Sequence, residues 1–328
     1  MKVSVTEYEK QYTFELQSVT QLCGQNIVKK TYILESIRRY FSSYRYREEQ
    51  NRWRNNIKIN DNDIGRKYFD VVSVNGTSEL LTMVKWSKQS LLMEYVKYLI
   101  QKYDWQLHLR IIDEELEKMF QIMNEDIKNL GNIELTYASS DIWEMVQKTD
   151  INSSDQIMLD EKSNCELMMI FLNLIEKIMH IAPKRMVILI ENIDHLCSIH
   201  EYMGILDKMQ KIGMENDVYF VVTTSMDGYV KCNRELCEGI TIFGDVDFQM
   251  PQYEIIKDYI YRNYPCNHKL NDEQIQCALE KIMQRIGQNN FLYSIEENVI
   301  CKLINQSLML FEKWTDTGNA LEIAFLSD

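Results

Sequence analysis

The chain has 328 residues, 45% of them hydrophobic, with a formal net charge of −13. That apolar content is enough for one large domain or two smaller ones and excludes an intrinsically disordered chain. Only 11 glycines and 3 prolines beside 18 methionines exclude a turn-rich all-β sandwich and favour long helices. Lys2 to Leu22 reads as two strands, with Val3 and Val5, then Tyr12, Phe14 and Leu16 alternating, and Val19 to Leu22 running into Gly24. Ile33, Leu34, Ile37, Tyr40 and Phe41 then fall on one face of a helix, with Arg38 and Arg39 off it. A short β-branched strand, Phe69 to Val74, ends at Asn75-Gly76. The pattern predicts two long helices, Ser78 to Lys102 and Trp105 to Leu130, as an antiparallel hairpin inserted into an α/β core. Ile133 to Tyr137 reads as a strand, Ser140 as the cap of a helix through Gln147, and Thr149 to Asp155 as a loop.

Glu166 to Ile181 is apolar round most of its circumference and predicts a deeply buried helix. Strands follow at Met186 to Glu191, Val218 to Thr224 and Ile240 to Phe248, and helix alternating with buried strand predicts a parallel sheet. Beyond Pro251 the chain reads as helical to its end. The domain reading is therefore a head in two parts, 1–77 and 151–250, a helical leg at 78–150 and a helical C-terminal extension at 251–328. The N-terminal Met-Lys-Val-Ser has a charge where a signal peptide needs an apolar core, and the aliphatic run Met186 to Ile190 is far too short to span a bilayer. A cytoplasmic protein without membrane contact is expected. Eight scattered cysteines predict reduced, mostly buried thiols. His195, Cys197 and His200 lack a convincing fourth ligand for a metal.

Two motifs carry chemistry. Gly24-Gln-Asn-Ile-Val-Lys-Lys-Thr31 follows a strand and opens a helix, as a phosphate-binding loop does, but Lys29 stands where that loop needs its second glycine. Lys30 and Thr31 keep the register of the phosphate-binding lysine and the Mg2+-binding hydroxyl. Glu191, at the end of the Met186 to Ile190 run, matches the strand-end carboxylate that holds Mg2+ in nucleotide hydrolases, and reads equally well as a strand meeting solvent. Asn192 follows it and cannot serve as a general base; Asp194 lies two residues on. With both motifs damaged, the fold expected is a degenerate phosphate-loop NTPase-like α/β head with a parallel-rich sheet, and ATP hydrolysis is not expected.

Charge is segregated along the chain. Lys29, Lys30, Arg38, Arg39, Arg45, Arg47, Arg52, Arg54, Lys58, Arg66 and Lys67 face only five acids, so residues 29–67 carry +6 and the remainder −19. A basic patch on an acidic background localises a polyanion. Tyr44, Tyr46 and Trp53 interleave with the arginines and offer faces that can stack on bases or on Arg beside phosphate contacts. A solvated charged loop is the plainer alternative. Asp113, Glu114, Glu117, Glu125 and Asp126 on the helical insert are candidates for a divalent cation or, more simply, a solvated face.

The chain resembles the spacer-acquisition accessory protein of type II-A CRISPR systems, in its longer subgroup. The resemblance rests on the N-terminal strands leading to Val19-Thr-Gln-Leu-Cys-Gly24, the insert at about Ser78 to Leu130, the Met186 to Asp194 strand end and the helices after Pro251. It implies an ATPase-like head without ATPase activity, a tetrameric ring with a basic channel for double-stranded DNA ends, and calcium supporting the assembly. It also implies work alongside the CRISPR integrase and the guide-RNA nuclease. A divergent ATPase using Lys30, Thr31 and Glu191, and a protein-interaction scaffold without DNA binding, are the other readings.

Overall fold

The computed structural model describes residues 1–47, 50, 53–88, 90–130, 133–137, 139, 141–149, 157–265, 270–288 and 294–310. Two compact units result: Met1–Glu79 with Lys184–Asp328, and Leu80–Pro183. The second unit is an insertion within the first, and it runs on past Asp150, the end of the leg expected from the sequence.

The first unit is built on two sheets. Strands β1 (Lys2–Glu7) and β2 (Lys10–Glu15) form an antiparallel hairpin through Tyr8, whose φ is +53°. The third strand, β3 (Val19–Cys23), belongs to the other sheet and leads through Gly24 into helix α1 (Ile27–Tyr40). Asn26 caps α1, its side-chain oxygen accepting from the Lys29 N–H at 3.1 Å. The basic segment then contributes β4 (Ile57–Ile59) and β5 (Asn62–Asp63), which complete a four-stranded sheet in the order β2-β1-β4-β5. These two short strands were not expected from the sequence. Alternation at Ile57, Lys58 and Ile59 is their only local signal.

The second sheet contains β3, β6 (Asp70–Val74), β7 (Met186–Ile190), β8 (Val218–Thr223), β9 (Ile240–Ile242) and β10 (Phe248–Gln249). Its order is β10-β9-β3-β8-β7-β6, with every pairing parallel except β10 to β9. The expected parallel sheet is present, though the run from Ile240 to Phe248 divides into two strands that turn back on each other. Every residue of β7, Met-Val-Ile-Leu-Ile, is buried, as a strand covered on both faces requires. Helix α1 packs with the small sheet over Leu22, Val187, Leu189 and Val221. Helix α7 (Ile199–Glu215), opened by a Ser198 and Glu201 capping box, packs on β3 and β8. Beyond Pro251, α8 (Tyr253–Asn263), α9 (Asp272–Ile282) and α10 (Ile295–Ser307) bury a second cluster against Cys23, Ile240 and Ile242.

The second unit is helical. The run expected as one helix from Ser78 is two, α2 (Thr77–Val84, beginning in the first unit) and α3 (Leu91–Lys102), because Ser90 caps α3 by accepting from the Met93 N–H at 3.1 Å. Next come α4 (Gln106–Ile127), α5 (Ile142–Gln147) and α6 (Asn164–Ile181). Helix α3 packs on α6 and α5 rather than pairing with α4 as a hairpin. Residues 133–137 are not a strand; Asn124 on α4 holds Leu135 in place by two hydrogen bonds of 2.8 Å to its backbone. The cap of α5 is Asp141, and Ser140 lies outside the described residues. Among the described residues no helix is long and apolar enough to cross a membrane.

Candidate nucleic-acid interface

The glycine loop sits at the carboxyl edge of the parallel sheet, between β3 and α1. Gly24 takes a φ of +90°, and a Cβ there would lie 2.4 Å from the Phe243 carbonyl oxygen, so only glycine fits. Several of the loop's backbone N–H groups find their acceptors within the protein itself. Gly24 N–H donates to Gln284 Oε1 at 2.6 Å, Asn26 N–H to the Phe243 carbonyl at 3.0 Å and Lys30 N–H to the Asn26 carbonyl at 3.3 Å.

Lys30 keeps the register of a phosphate-binding lysine and does something else. Its side chain is 1% exposed, and Nζ donates to the Gly24 carbonyl at 2.7 Å, the Thr224 carbonyl at 2.6 Å and Ser225 Oγ at 2.7 Å. Those three acceptors exhaust the ammonium's three protons. Burial pulls its pKa below the ordinary lysine value. Lys29 reaches across to the turn after β9, donating to the Gly244 carbonyl at 2.8 Å and pairing with Asp247 at 2.7 Å. Both lysines, expected to face DNA, are therefore committed within the fold.

Across the sheet edge, Thr31 Oγ1 donates to Glu191 Oε1 at 2.6 Å, so two of the expected Mg2+-site residues do meet. Asn192 adopts a left-handed conformation, with φ of +52°. Asp194 is buried, and its Oδ2 accepts from the Ser225 and Met226 N–H groups at 2.6 and 2.9 Å, which ties it to the strand end instead of to an open site.

The basic segment divides by burial. Arg38 and Arg39 share Glu35 on the previous turn of α1, at 2.6 and 2.5 Å. Burial alone would raise the Glu35 carboxyl, but hydrogen bonds from the two guanidiniums outweigh it and hold the pKa below the usual carboxylate value. Arg39 also lies 4.6 Å from the Trp53 ring centroid and 5.0 Å from that of Tyr44. Trp53 is 7% exposed and stacked on Tyr32 at 4.6 Å, so it is core and offers no open face to a base. Tyr46 carries the Arg66 guanidinium at 5.2 Å, and Arg66 donates to the carbonyls of Tyr40, Arg39 and Tyr44. The interleaved aromatics thus brace arginines, one of the two uses expected of them, while Trp53 is too buried for the other, stacking on a base. Arg45, Arg47, Arg54 and Lys67 are exposed and form no ion pair with a described residue. Lys58 is exposed and loosely paired with Asp63 at 3.7 Å, and Arg52 lies outside the described residues.

The candidate cation ligands do not come together. Asp113 accepts from the Tyr137 hydroxyl at 2.8 Å and Glu114 pairs with Arg110 at 3.5 Å, while Glu117, Glu125 and Asp126 are exposed on the same helix. No group of three or more His, Cys, Asp or Glu side chains suited to a metal occurs among the described residues. These acids do not fit calcium as a site within one chain.

Against this geometry, residues 5–315 match the profile of the CRISPR-associated protein Csn2, subfamily St. The chain belongs to the Csn2 family. That family takes part in adaptation in type II-A CRISPR systems. The fold is similar to the crystal structure of Stu0660 of Streptococcus thermophilus, with a TM-score of 0.84 at 20% identity over 99% of each chain. A comparison with curated proteins gave no match. At that identity the structural likeness speaks for the fold, and it spans both units and the C-terminal helices of this Csn2 chain.

Proposed function

We propose that this Csn2-family chain is a non-catalytic, sequence-tolerant double-stranded DNA-binding protein. In this reading it acts as a homotetrameric ring on DNA ends in the cytoplasm, beside the CRISPR integrase and guide-RNA nuclease, during spacer acquisition. The carrying observation is that Arg45, Arg47, Arg54, Lys58 and Lys67 remain exposed in a segment of +6 on a chain whose remainder is −19. Such segregation attracts phosphate to one region and repels it elsewhere. The head is read as a degenerate phosphate-loop fold: the glycine loop follows β3, Glu191 follows β7, and β8 separates them. A divergent ATPase is disfavoured because Lys30 would have to abandon three acceptors to reach a phosphate. Assembly is supported by the exposed Leu107, Ile111, Met119 and Ile122 of α4.

The test is retention of linear against closed-circular duplex across a salt series, with and without ATP. Linear DNA alone is expected to be retained, indifferent to ATP, with affinity falling about 10^3 to 10^5 between ~50 and ~200 mM salt if six to ten phosphates are neutralised. Replacing Arg45, Arg47 and Arg54 together by Glu should abolish retention and leave the oligomer intact. A flat salt response, or undiminished binding by the triple variant, refutes the reading.

A further inference from the structure

The glycine loop is filled from a distant part of the chain. Gln284 lies in a short helical turn, Met283–Arg285, after α9, and is 260 residues from its partner Gly24. It is 1% exposed, and its carboxamide is used at both ends: Oε1 accepts from the Gly24 N–H at 2.6 Å, and Nε2 donates to Thr224 Oγ1 at 2.7 Å. The Thr224 carbonyl is one of the three acceptors of Lys30 Nζ. One amide therefore joins the first N–H of the loop to the strand end that immobilises the lysine. Its position is held from both sides. Ile282, Met283 and Ile286 are buried in the cluster formed by α8, α9 and α10, and Arg285 pairs with Asp227 at 3.1 Å.

A phosphate oxygen bound by such a loop would accept from its backbone N–H groups. Gln284 Oε1 supplies that acceptor without charge, which suits a pocket whose lysine is already saturated. An unsatisfied Gly24 N–H would otherwise be buried, at a cost comparable to a lost hydrogen bond. We propose that Gln284 is an internal ligand of the glycine loop, so that the C-terminal helices order this loop in place of a nucleotide. The inference rests on the contacts of the loop and stands or falls independently of DNA binding.

Amide hydrogen exchange of the full-length protein, read by mass spectrometry over 24–30 with β7 as internal reference, tests it. Gln284→Leu should raise exchange in 24–30 about ten-fold, the equivalent of one buried hydrogen bond, and leave β7 unchanged. Should the leucine variant not fold, Gln284→Asn keeps a buried amide but withdraws it by one methylene, and should show the same local rise. Magnesium ATP should leave the wild-type loop unchanged. Unaltered loop exchange, a rise shared equally by β7, or ATP-dependent protection of the wild-type loop would each overturn the assignment.

Discussion

Lys30 illustrates how one side chain changes role when its surroundings change. Its ammonium binds two strand-end carbonyls and a serine hydroxyl, so its charge serves the loop's own closure. Lys30→Met should cost about 2–4 kcal/mol in chemical denaturation, since it strands buried acceptors, and should leave DNA affinity unchanged. Cys23, fully buried beneath the same loop, gives a pH signature. Burial pushes its thiol from an ordinary 9.0 up to about 11. The folded state therefore holds this proton where the unfolded chain has released it. The contribution is complete below pH 9 and is lost as pH rises through 11. Cys23→Ala should abolish this pH-dependent loss, about 3 kcal/mol between those limits, measured by urea unfolding at successive pH values. The glycine, lysine and threonine of the loop were legible from their spacing, as was the damage at Lys29. The destinations of Lys29 and Lys30 were not, because Asp247 and Thr224 lie 218 and 194 residues away.

Among the elements, α1 is the most informative, because its two faces do different work. Ile33, Leu34, Ile37, Tyr40 and Phe41 are buried, as the apolar spacing predicts, and Tyr32 is buried with them. On the outer side the single carboxylate of Glu35 holds two arginines, so both guanidiniums are engaged although the trio keeps a net charge of about +1. Glu35→Gln should free Arg38 and Arg39 for phosphate. DNA affinity at low salt should rise several-fold, and the slope of log K against log salt should steepen by about 0.9 for each added phosphate contact. An unchanged slope in fluorescence-anisotropy titrations would place these arginines outside the interface. Strand β4 and the burial of Trp53 were missed for a common reason: their partners, β1 and Tyr32, are set by tertiary pairing and not by neighbours in the chain.

For the whole molecule, the least self-sufficient element is α4. It is 22 residues long, about 33 Å at the α-helical rise, and its only buried residue is the polar Asn124. Leu107, Ile111, Met119 and Ile122 stay exposed, which an assembled ring would explain. Ile111→Asp combined with Ile122→Asp should reduce the mass seen by sedimentation velocity while leaving the monomer's circular dichroism intact, because both side chains are already at the surface. Retained mass would remove α4 from the assembly contact. The sequence by itself determined the parallel strands, the helical insertion, the C-terminal helices and the segregation of charge, because apolar periodicity and composition are local properties. Only the tertiary structure decided that Gln284, Lys30, Thr224 and Phe243 would close the glycine loop, and which arginines would stay outward. Satisfying a buried N–H or ammonium is a requirement of the folded interior, met by whatever acceptor the fold brings within about 3 Å.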